Sequence, residues 1–499
     1  MYFSLLSILL LFSFAASSNS NQNGKFLLIT DIHIDEKYNK NGNRSAMCHL
    51  DENSGNETPK EARDAGKEVA AIGTYGDHNC DSPPALVDFM LDEAKRHIPK
   101  PDFIIWTGDT AAHIKYTEKG LFFHFWTFFG VGIVTDAIKK RFSDVLVIPI
   151  LGNHDMEPSN SFPDDAKQLG MYQGVYDLWK GWIGDKPKET FLRGGYYYFK
   201  SPLDGSEYLV LNTNIYYVLN SAIQNFTNPD DPTGQFEFIE KHLAEIKLKN
   251  RKINIVGHVP PGGSIRALNK NSNKIFNFVG YVFNSNKTEW QVEMPKQYNR
   301  KLIDLFTKYA DSIGFMLFGH LHTDTFRVLK DSNGKPVQRM FLNPAITPMF
   351  DLNNPAFRVF DYDKNNFDIK DIRTFYVNLD ELNKKGSNQI KTILEYSMSE
   401  VYGLKTFDAK EMNNLAKQLA KNDTLFNLYI RYNRVMNGDE TKKDSIDRKI
   451  YICIIENLNL EELENCVSEV PSSATKKSIS ALIILSVIFT VLVTLSFKI

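Results

Sequence analysis

Short apolar runs punctuate a largely polar chain, and several of them end in the same way. Residues 26–30, 103–107, 145–150, 253–256 and 315–318 are aliphatic and aromatic stretches of strand length. They lead into Asp31-Ile32-His33, Gly108-Asp109, Leu151-Gly152-Asn153-His154-Asp155, Gly257-His258 and Gly319-His320-Leu321-His322. Each run therefore delivers Asp, Asn or His to its exit, with Gly or Thr beside it. Between them the apolar period lengthens to that of helices. Residues 84–98 follow Ser82-Pro83-Pro84, with serine placed to cap and the prolines suited to a first turn, and they align Leu86, Val87, Met90, Leu91 and Ala94. Residues 235–249 turn Phe236, Ile239, Leu243 and Ile246 inward, and residues 300–309 form a further helix. Runs at 196–199, 208–212, 326–329 and 337–342 add strands, the last two bracketing a turn at 331–335.

This alternation of helix and strand predicts an α/β domain with two sheets, or one large sheet, reaching to about residue 375. Beyond it, residues 392–437 read as helical and polar, and a segment containing Cys453 and Cys466 follows. Residues 121–134 are dense in phenylalanine and tryptophan. They read as a helix packed on the core, with an apolar lip for lipid or an acyl substrate as the alternative.

The 499-residue length accommodates one large and one smaller domain, and the net charge of −2 supplies no basic field for nucleic acid. A nucleic-acid partner is thereby excluded, while a small nucleotide substrate stays open. The termini point to the secretory route. Residues 2–14 are apolar and precede Ala15-Ala16-Ser17-Ser18, so residues 1–18 read as a signal peptide, although Lys and Arg are missing from its start. Acceptor sequons begin at Asn43, Asn56, Asn225, Asn286 and Asn422. Residues 471–499 contain an apolar run, 479–497, long enough to cross a bilayer, and read as a membrane anchor or a cleaved lipid-anchor signal. The expected location is the extracellular or lysosomal side of the membrane. The four cysteines permit three pairings. An oxidising compartment favours joining near neighbours, Cys48 with Cys80 and Cys453 with Cys466.

A donor set of Asp, Asn and His without thiolate suits zinc, iron or manganese in a catalytic site rather than a structural zinc cage. His320 and His322 alternate at strand spacing, so both imidazoles face one side. Two such cations about 3.5–4 Å apart can clamp the attacking and leaving oxygens of a displacement at phosphorus.

The ordered set Asp31-x-His33, Gly108-Asp109, Gly152-Asn153-His154-Asp155, Gly257-His258 and Gly319-His320-x-His322 resembles the calcineurin-like metallophosphoesterase superfamily. Further strings narrow the resemblance to the acid sphingomyelinase-like phosphodiesterases of the saposin-less, type 3 branch. They are Cys80-Asp-Ser-Pro83, Thr107-Gly-Asp109 with His113, Leu211-Asn-Thr-Asn214, Gly257-His-Val-Pro260, Asn343-Pro-Ala-Ile-Thr-Pro348 and Asn354-Pro355. The resemblance covers nearly all of the chain between the two terminal signals.

It implies a four-layer αββα sandwich over residues 19–375 and a helical, disulfide-containing C-terminal subdomain over residues 376–470. It implies two divalent ions, zinc above all. Asp31, His33, Asp109 and His322 would hold one ion, and Asp109, Asn153, His258 and His320 the other, with a hydroxide between them as nucleophile. His154 would then protonate the leaving group, Asp155 would orient His154, and His113 would contact the phosphate. The implied substrate is a phosphodiester, either sphingomyelin, cleaved to ceramide and phosphocholine, or a nucleotide such as ATP. The alternatives are a phosphomonoesterase on the same fold and a surface protein that keeps the fold but only binds.

Overall fold

The computed structural model describes residues 23–50, 71–113, 123–165, 169–266, 282–285, 288–349, 353–436 and 445–469. Two six-stranded sheets form its centre. The first contains β1 (Asn23–Ile29), β2 (Phe103–Trp106), β3 (Leu146–Pro149), β13 (Ala356–Asp363), β14 (Ile369–Tyr376) and β15 (Ile393–Ser397), in the order β15-β14-β13-β1-β2-β3. The second contains β4 (Tyr197–Lys200), β5 (Glu207–Val210), β6 (Ile253–Val256), β10 (Ile313–Phe318), β11 (Thr325–Lys330) and β12 (Pro336–Leu342), in the order β11-β12-β10-β6-β5-β4. A small third sheet is built from β7 (Gly263–Arg266), β8 (Val282–Ser285) and β9 (Thr288–Val292).

In the second sheet β12, β10, β6 and β5 run parallel with antiparallel β11 and β4 at the edges, whereas in the first β1, β2 and the edge strand β3 are parallel and β13 to β15 pair antiparallel. β2, β5, β6 and β10 are buried at every residue, which explains their largely apolar sequences, interrupted by Glu207 and Asn254, because parallel strands are covered on both faces. The two sheets meet through aromatic side chains. Phe26 of β1 stacks on Phe103 and Phe360 at 4.7 Å within its own sheet and reaches Phe315 of β10 at 5.6 Å. Phe103 meets Tyr208 of β5 edge-on at 5.7 Å.

Helices form the outer layers. Pro84–His97, Phe123–Arg141 and Leu169–Ile183 lie with the first sheet, and Gln235–Leu248 and Lys296–Lys308 with the second. The architecture is thus the expected αββα stack. The apolar faces expected for residues 84–98 and 235–249 are buried as the period demanded. Ser82 does not cap its helix; Pro83 occupies that position without a side-chain bond. The third sheet and β13 to β15 were not resolved by the sequence reading.

The C-terminal region is less separate than a boundary at residue 375 suggests. β15, inside a stretch expected to be helical, pairs with β14 and completes the first sheet. Helices Ala409–Lys421 and Asp423–Asn433 then contribute Leu415, Leu419, Phe426 and Tyr429 to the same core as the sandwich. A satellite core forms around Val292, Ile450, Cys453, Ile454, Leu460 and Leu463. Both expected disulfides are present, Cys48–Cys80 and Cys453–Cys466.

Residues 123–134 of the aromatic stretch lie in helix Phe123–Arg141, where Phe128 covers Gly174 and Phe129 is 37% exposed. The side chains that precede Phe128 in the stretch, residues 1–18 and 471–499, Asn56 and Asn286 lie outside the description. Asn225 and Asn422 are exposed, whereas Asn43 is half-buried and its side chain accepts hydrogen bonds from Ser45. Among the described residues no helix is long and apolar enough to cross a membrane.

Candidate metal centre

All five strand-end motifs converge on one rim, and their backbone is bent to do so. Asp31, His33, Asp109, His320 and His322 have φ values of 48°, 45°, 52°, 70° and 57°, the left-handed region that side chains other than glycine rarely adopt. Such strain persists only where the surroundings over-determine it. Here Asp31 N–H donates to the Gly108 carbonyl, His33 N–H to Asp109, and Thr347 N–H to Asp31. The close approach of two loops requires glycine: a Cβ on Gly152 would lie 2.0 Å from the Asp109 nitrogen.

Asp31, His33, Asp109 and His322 bring one potential ligand atom each to within 4.8 Å of one another, and so do Asp109, His258 and His320. Asp109 is common to both groups. Its Oδ2 lies 3.4 Å from His33 Nε2 and 3.2 Å from His258 Nε2, while its Oδ1 accepts from His154 N–H at 2.8 Å. Asn153 joins the second group, its Oδ1 2.9 Å from His258 Nε2, and Asn160 fixes its amide at 2.9 Å.

The imidazoles are oriented through their outward nitrogens. His33 Nδ1 donates to the Ala111 carbonyl at 2.8 Å, His258 Nδ1 to Thr107 at 2.7 Å and His322 Nδ1 to Met349 at 3.2 Å, which leaves each Nε2 facing inward. His320 is reversed. Its Nε2 donates to Glu293 at 3.2 Å, and its buried Nδ1 has no hydrogen-bond partner.

Metals fit this donor set. His33 Nε2 and His322 Nε2 face each other at 3.3 Å with both Nδ1 protons already directed to carbonyls, so two lone pairs oppose each other unless a cation stands between them. The orphaned His320 Nδ1 is a second sign. Electrostatics agree. Burial and neighbouring histidines push His33 and His322 well below the usual imidazole range, so both are neutral, as ligation requires. Burial opposes the charge on Asp109, but His258, His154 and His33 outweigh it and hold the carboxyl well below its ordinary value. Burial raises Asp31 to about 7, against His258, which lowers it. His258 is itself pushed up to about 9, because Asp109 and Asp31 overcome its burial.

His154 and His113 line the mouth of this group. Their rings lie 4.1 Å apart, and His113 stacks on His33 at 3.8 Å. Asp81 grips His113 twice, accepting from its Nδ1 at 2.8 Å and from its backbone N–H at 2.6 Å. Burial and His113 push His154 down to about 3. Asp155 does not take the expected orienting role. Its oxygens accept from Gly152, Thr110 and Ala111 N–H, and the His154 Nδ1 has no hydrogen-bond partner. Three backbone donors saturate this buried carboxylate, which therefore joins two loops instead.

Asp81, Asn160 and Glu293 complete the site and were not singled out from sequence. Asp81 sits within the quoted Cys80-Asp-Ser-Pro83 string, a signal that was available; Glu293 and Asn160 carried none. The remaining strings turn out to be backbone scaffolding. Asn214 Nδ2 donates to the Leu151 carbonyl at 2.7 Å, Asn343 Nδ2 to Phe318 at 2.8 Å and Asn354 Nδ2 to Val435 at 2.9 Å.

A calcineurin-like phosphoesterase profile matches residues 24–324, and the profile of the acid sphingomyelin phosphodiesterase C-terminal region matches residues 335–472. The chain is 31% identical over 454 residues to rat cyclic GMP-AMP phosphodiesterase SMPDL3A, covering 89% of this chain and 92% of that one. It is 30% identical over 455 residues to human acid sphingomyelinase-like phosphodiesterase 3b, covering 89% and 90%. It is 29% identical over 465 residues to sphingomyelinase phosphodiesterase C of Dictyostelium discoideum, covering 90% and 94%.

Proposed function

The chain belongs to the calcineurin-like phosphoesterase family and is a hydrolase of the phosphodiesterase type, and on that premise we propose that the strand-end rim performs metal-dependent cleavage of a phosphodiester. The observation that carries this reading is Asp109, a single carboxylate within 3.4 Å of His33 and 3.2 Å of His258, shared by both ligand groups. Asp31, His33, Asp109 and His322 would hold one divalent ion, and Asp109, Asn153, His258 and His320 the other, with zinc best suited to these donors. When bound, such a pair supplies Lewis acidity to the attacking and leaving oxygens of an in-line displacement.

The protein's own residues supply the rest. His154, at the mouth of the site, donates a proton to the leaving oxygen, a role typically worth ~10²–10⁴-fold in rate. Burial and the neighbouring His113 lower its proton affinity in the free site. His113, fixed by Asp81, contacts a phosphate oxygen. Asp155 keeps the two loops that carry Asp109 and Asn153 in register.

The substrate is a sphingomyelin-like or nucleotide phosphodiester; relatives named for sphingomyelin and for cyclic GMP-AMP support that class. The two disulfides support a secretory location. The test is to offer the purified chain sphingomyelin in detergent, and separately ATP or a cyclic dinucleotide, each with a chelator control and with Asp109→Ala in parallel. Phosphocholine from sphingomyelin, nucleoside monophosphate from ATP or ring opening of the cyclic dinucleotide to its linear form should be seen with the wild type alone, and the chelator should stop it. Full turnover by Asp109→Ala, or indifference to chelator, would overturn the reading. Release of phosphate only from monoesters would return the chain to the phosphomonoesterase alternative.

A further inference from the structure

A second cationic feature lies on the far side of the histidine loop. A cleft opens between β11 and the C-terminal helices Asp423–Asn433 and Ser445–Glu456, lined by Leu321, Arg327, Tyr429, Arg434, Tyr451 and Ile455 among others. We propose that this cleft binds a phosphate group carried on an apolar or aromatic moiety, separately from the metal centre.

Arg327 is the anchor of the argument. It is 3% exposed, and its guanidinium bonds only to neutral oxygens: Nη1 to Thr325 Oγ1 at 3.1 Å and the Phe326 carbonyl at 2.9 Å, Nη2 to the Gly263 carbonyl at 3.1 Å. Its buried Nε has no hydrogen-bond partner. The other buried arginines are provided for. Arg358 is paired with Asp324, and Arg339 is saturated by the Phe407 and Gly314 carbonyls and Gln338. Among the described residues, Arg327 alone combines burial, an unbonded donor and a place in the wall of this cleft.

A buried guanidinium without a carboxylate is costly to the fold, and its free N–H calls for an acceptor. Burial lowers Arg327 to about 10, so it is still charged at neutral pH. Arg434, half-buried, adds a second cation to the same cleft, and no acidic residue lines it. Glu293 is the nearby carboxylate, but it is bonded to His320, Ser264 and Gln291. Two guanidinium groups are the arrangement that recognises a phosphate through paired, charge-assisted hydrogen bonds.

The rest of the wall says what carries the phosphate. Leu321, Ile454, Ile455, Tyr429 and Tyr451 present apolar and aromatic surface beside the cations. Leu321 stands between His320 and His322, so an occupant would press on the loop that supplies two of the candidate ligands.

The test is calorimetric titration of the intact chain with inorganic phosphate and with phenyl phosphate, each with and without chelator. The chelator removes binding that belongs to the metal centre. The expected result is one site per chain that survives chelation, with phenyl phosphate binding more tightly than inorganic phosphate. Arg327→Met and Arg434→Met should each weaken that site by about tenfold or more, the usual loss for hydrogen bonds to a charged group. Circular dichroism and phosphodiester cleavage report whether each variant folds; should Arg327→Met fail to fold, Arg434→Met, closer to the surface, decides. Absence of a chelator-resistant site, equal affinity for the two phosphates, or unchanged binding in the folded variants would overturn the proposal. Loss of phosphodiester cleavage with this site intact would overturn the proposed function and leave this one standing.

Discussion

Glu293→Gln separates the two halves of the candidate metal centre. Glu293 is fully buried and accepts from His320 Nε2 at 3.2 Å, which turns His320 Nδ1 towards the second ligand group. Its other oxygen accepts from Gln291 Nε2 at 3.1 Å and from Ser264 Oγ. The substitution keeps the shape but removes the charge and replaces one acceptor oxygen with an NH₂ group. Whichever way the new amide turns, it loses a bond: facing His320 with NH₂ breaks the orienting contact, and facing Gln291 with NH₂ sets two donors against each other. A carboxylate behind a ligating histidine is typically worth 10–100-fold in metal affinity. The expected loss at the Asp109–His258–His320 group is therefore about 10–100-fold, or roughly 1.4–2.8 kcal/mol. The Asp31–His33–Asp109–His322 group, in which Glu293 has no part, should keep its affinity. Zinc titration against a competing chromophoric chelator reads both steps, and the wild-type curve should split into a tight and a weakened phase in the variant. Thermal unfolding in chelator should change little, by about 1 kcal/mol, because the shape is kept and hydrogen-bond losses in the apo protein are of that order. Equal weakening of both phases, or of neither, would show that Glu293 does not act through His320.

Three other outcomes follow from the geometry. His154→Ala should retain the full metal content while losing ~10²–10⁴-fold in kcat, as expected for a proton donor; loss of metal instead would place His154 among the ligands. Asp81→Asn replaces one of the two carboxyl oxygens that accept the His113 bonds with an NH₂ group, so kcat/KM should fall about 10–100-fold with metal stoichiometry unchanged, and wild-type kinetics would count against any role for His113. Replacing Cys48 and Cys80 together by alanine opens a loop of 32-residue separation, for which the chain-entropy estimate is about 3–4 kcal/mol. Denaturant unfolding checks it, and an unchanged midpoint would mean that loop closure contributes nothing to stability.

Much of the site was legible because its donors are packed into local strings at the ends of apolar runs. A run of strand length followed by Asp, Asn or His can be read without knowing the fold, and five such runs in one chain are hard to attribute to chance. The cysteine pairing was legible for a similar reason, since near neighbours in sequence stayed neighbours in space. The C-terminal boundary was not. β15 reads as part of a polar helical region, and it becomes a strand by pairing with β14, a contact that local propensity does not encode. Asp155 shows the same limit on a single side chain. The resemblance implied a partner for His154, but the carboxylate instead meets Thr110 and Ala111 from 45 and 44 positions away.

The sequence by itself determined which residues could bind metal and that sheet strands would present them, because strand period and exit chemistry are local properties. Only the tertiary structure decided how those residues are used. It bent five candidate ligand positions into left-handed backbone, set Asp109 between His33 and His258, and brought His320 N–H to Asp31 across 289 positions. It also chose Glu293 and Asp81 as the carboxylates that aim the histidines, since a hydrogen bond between distant segments depends on how two sheets are laid together and not on either segment alone.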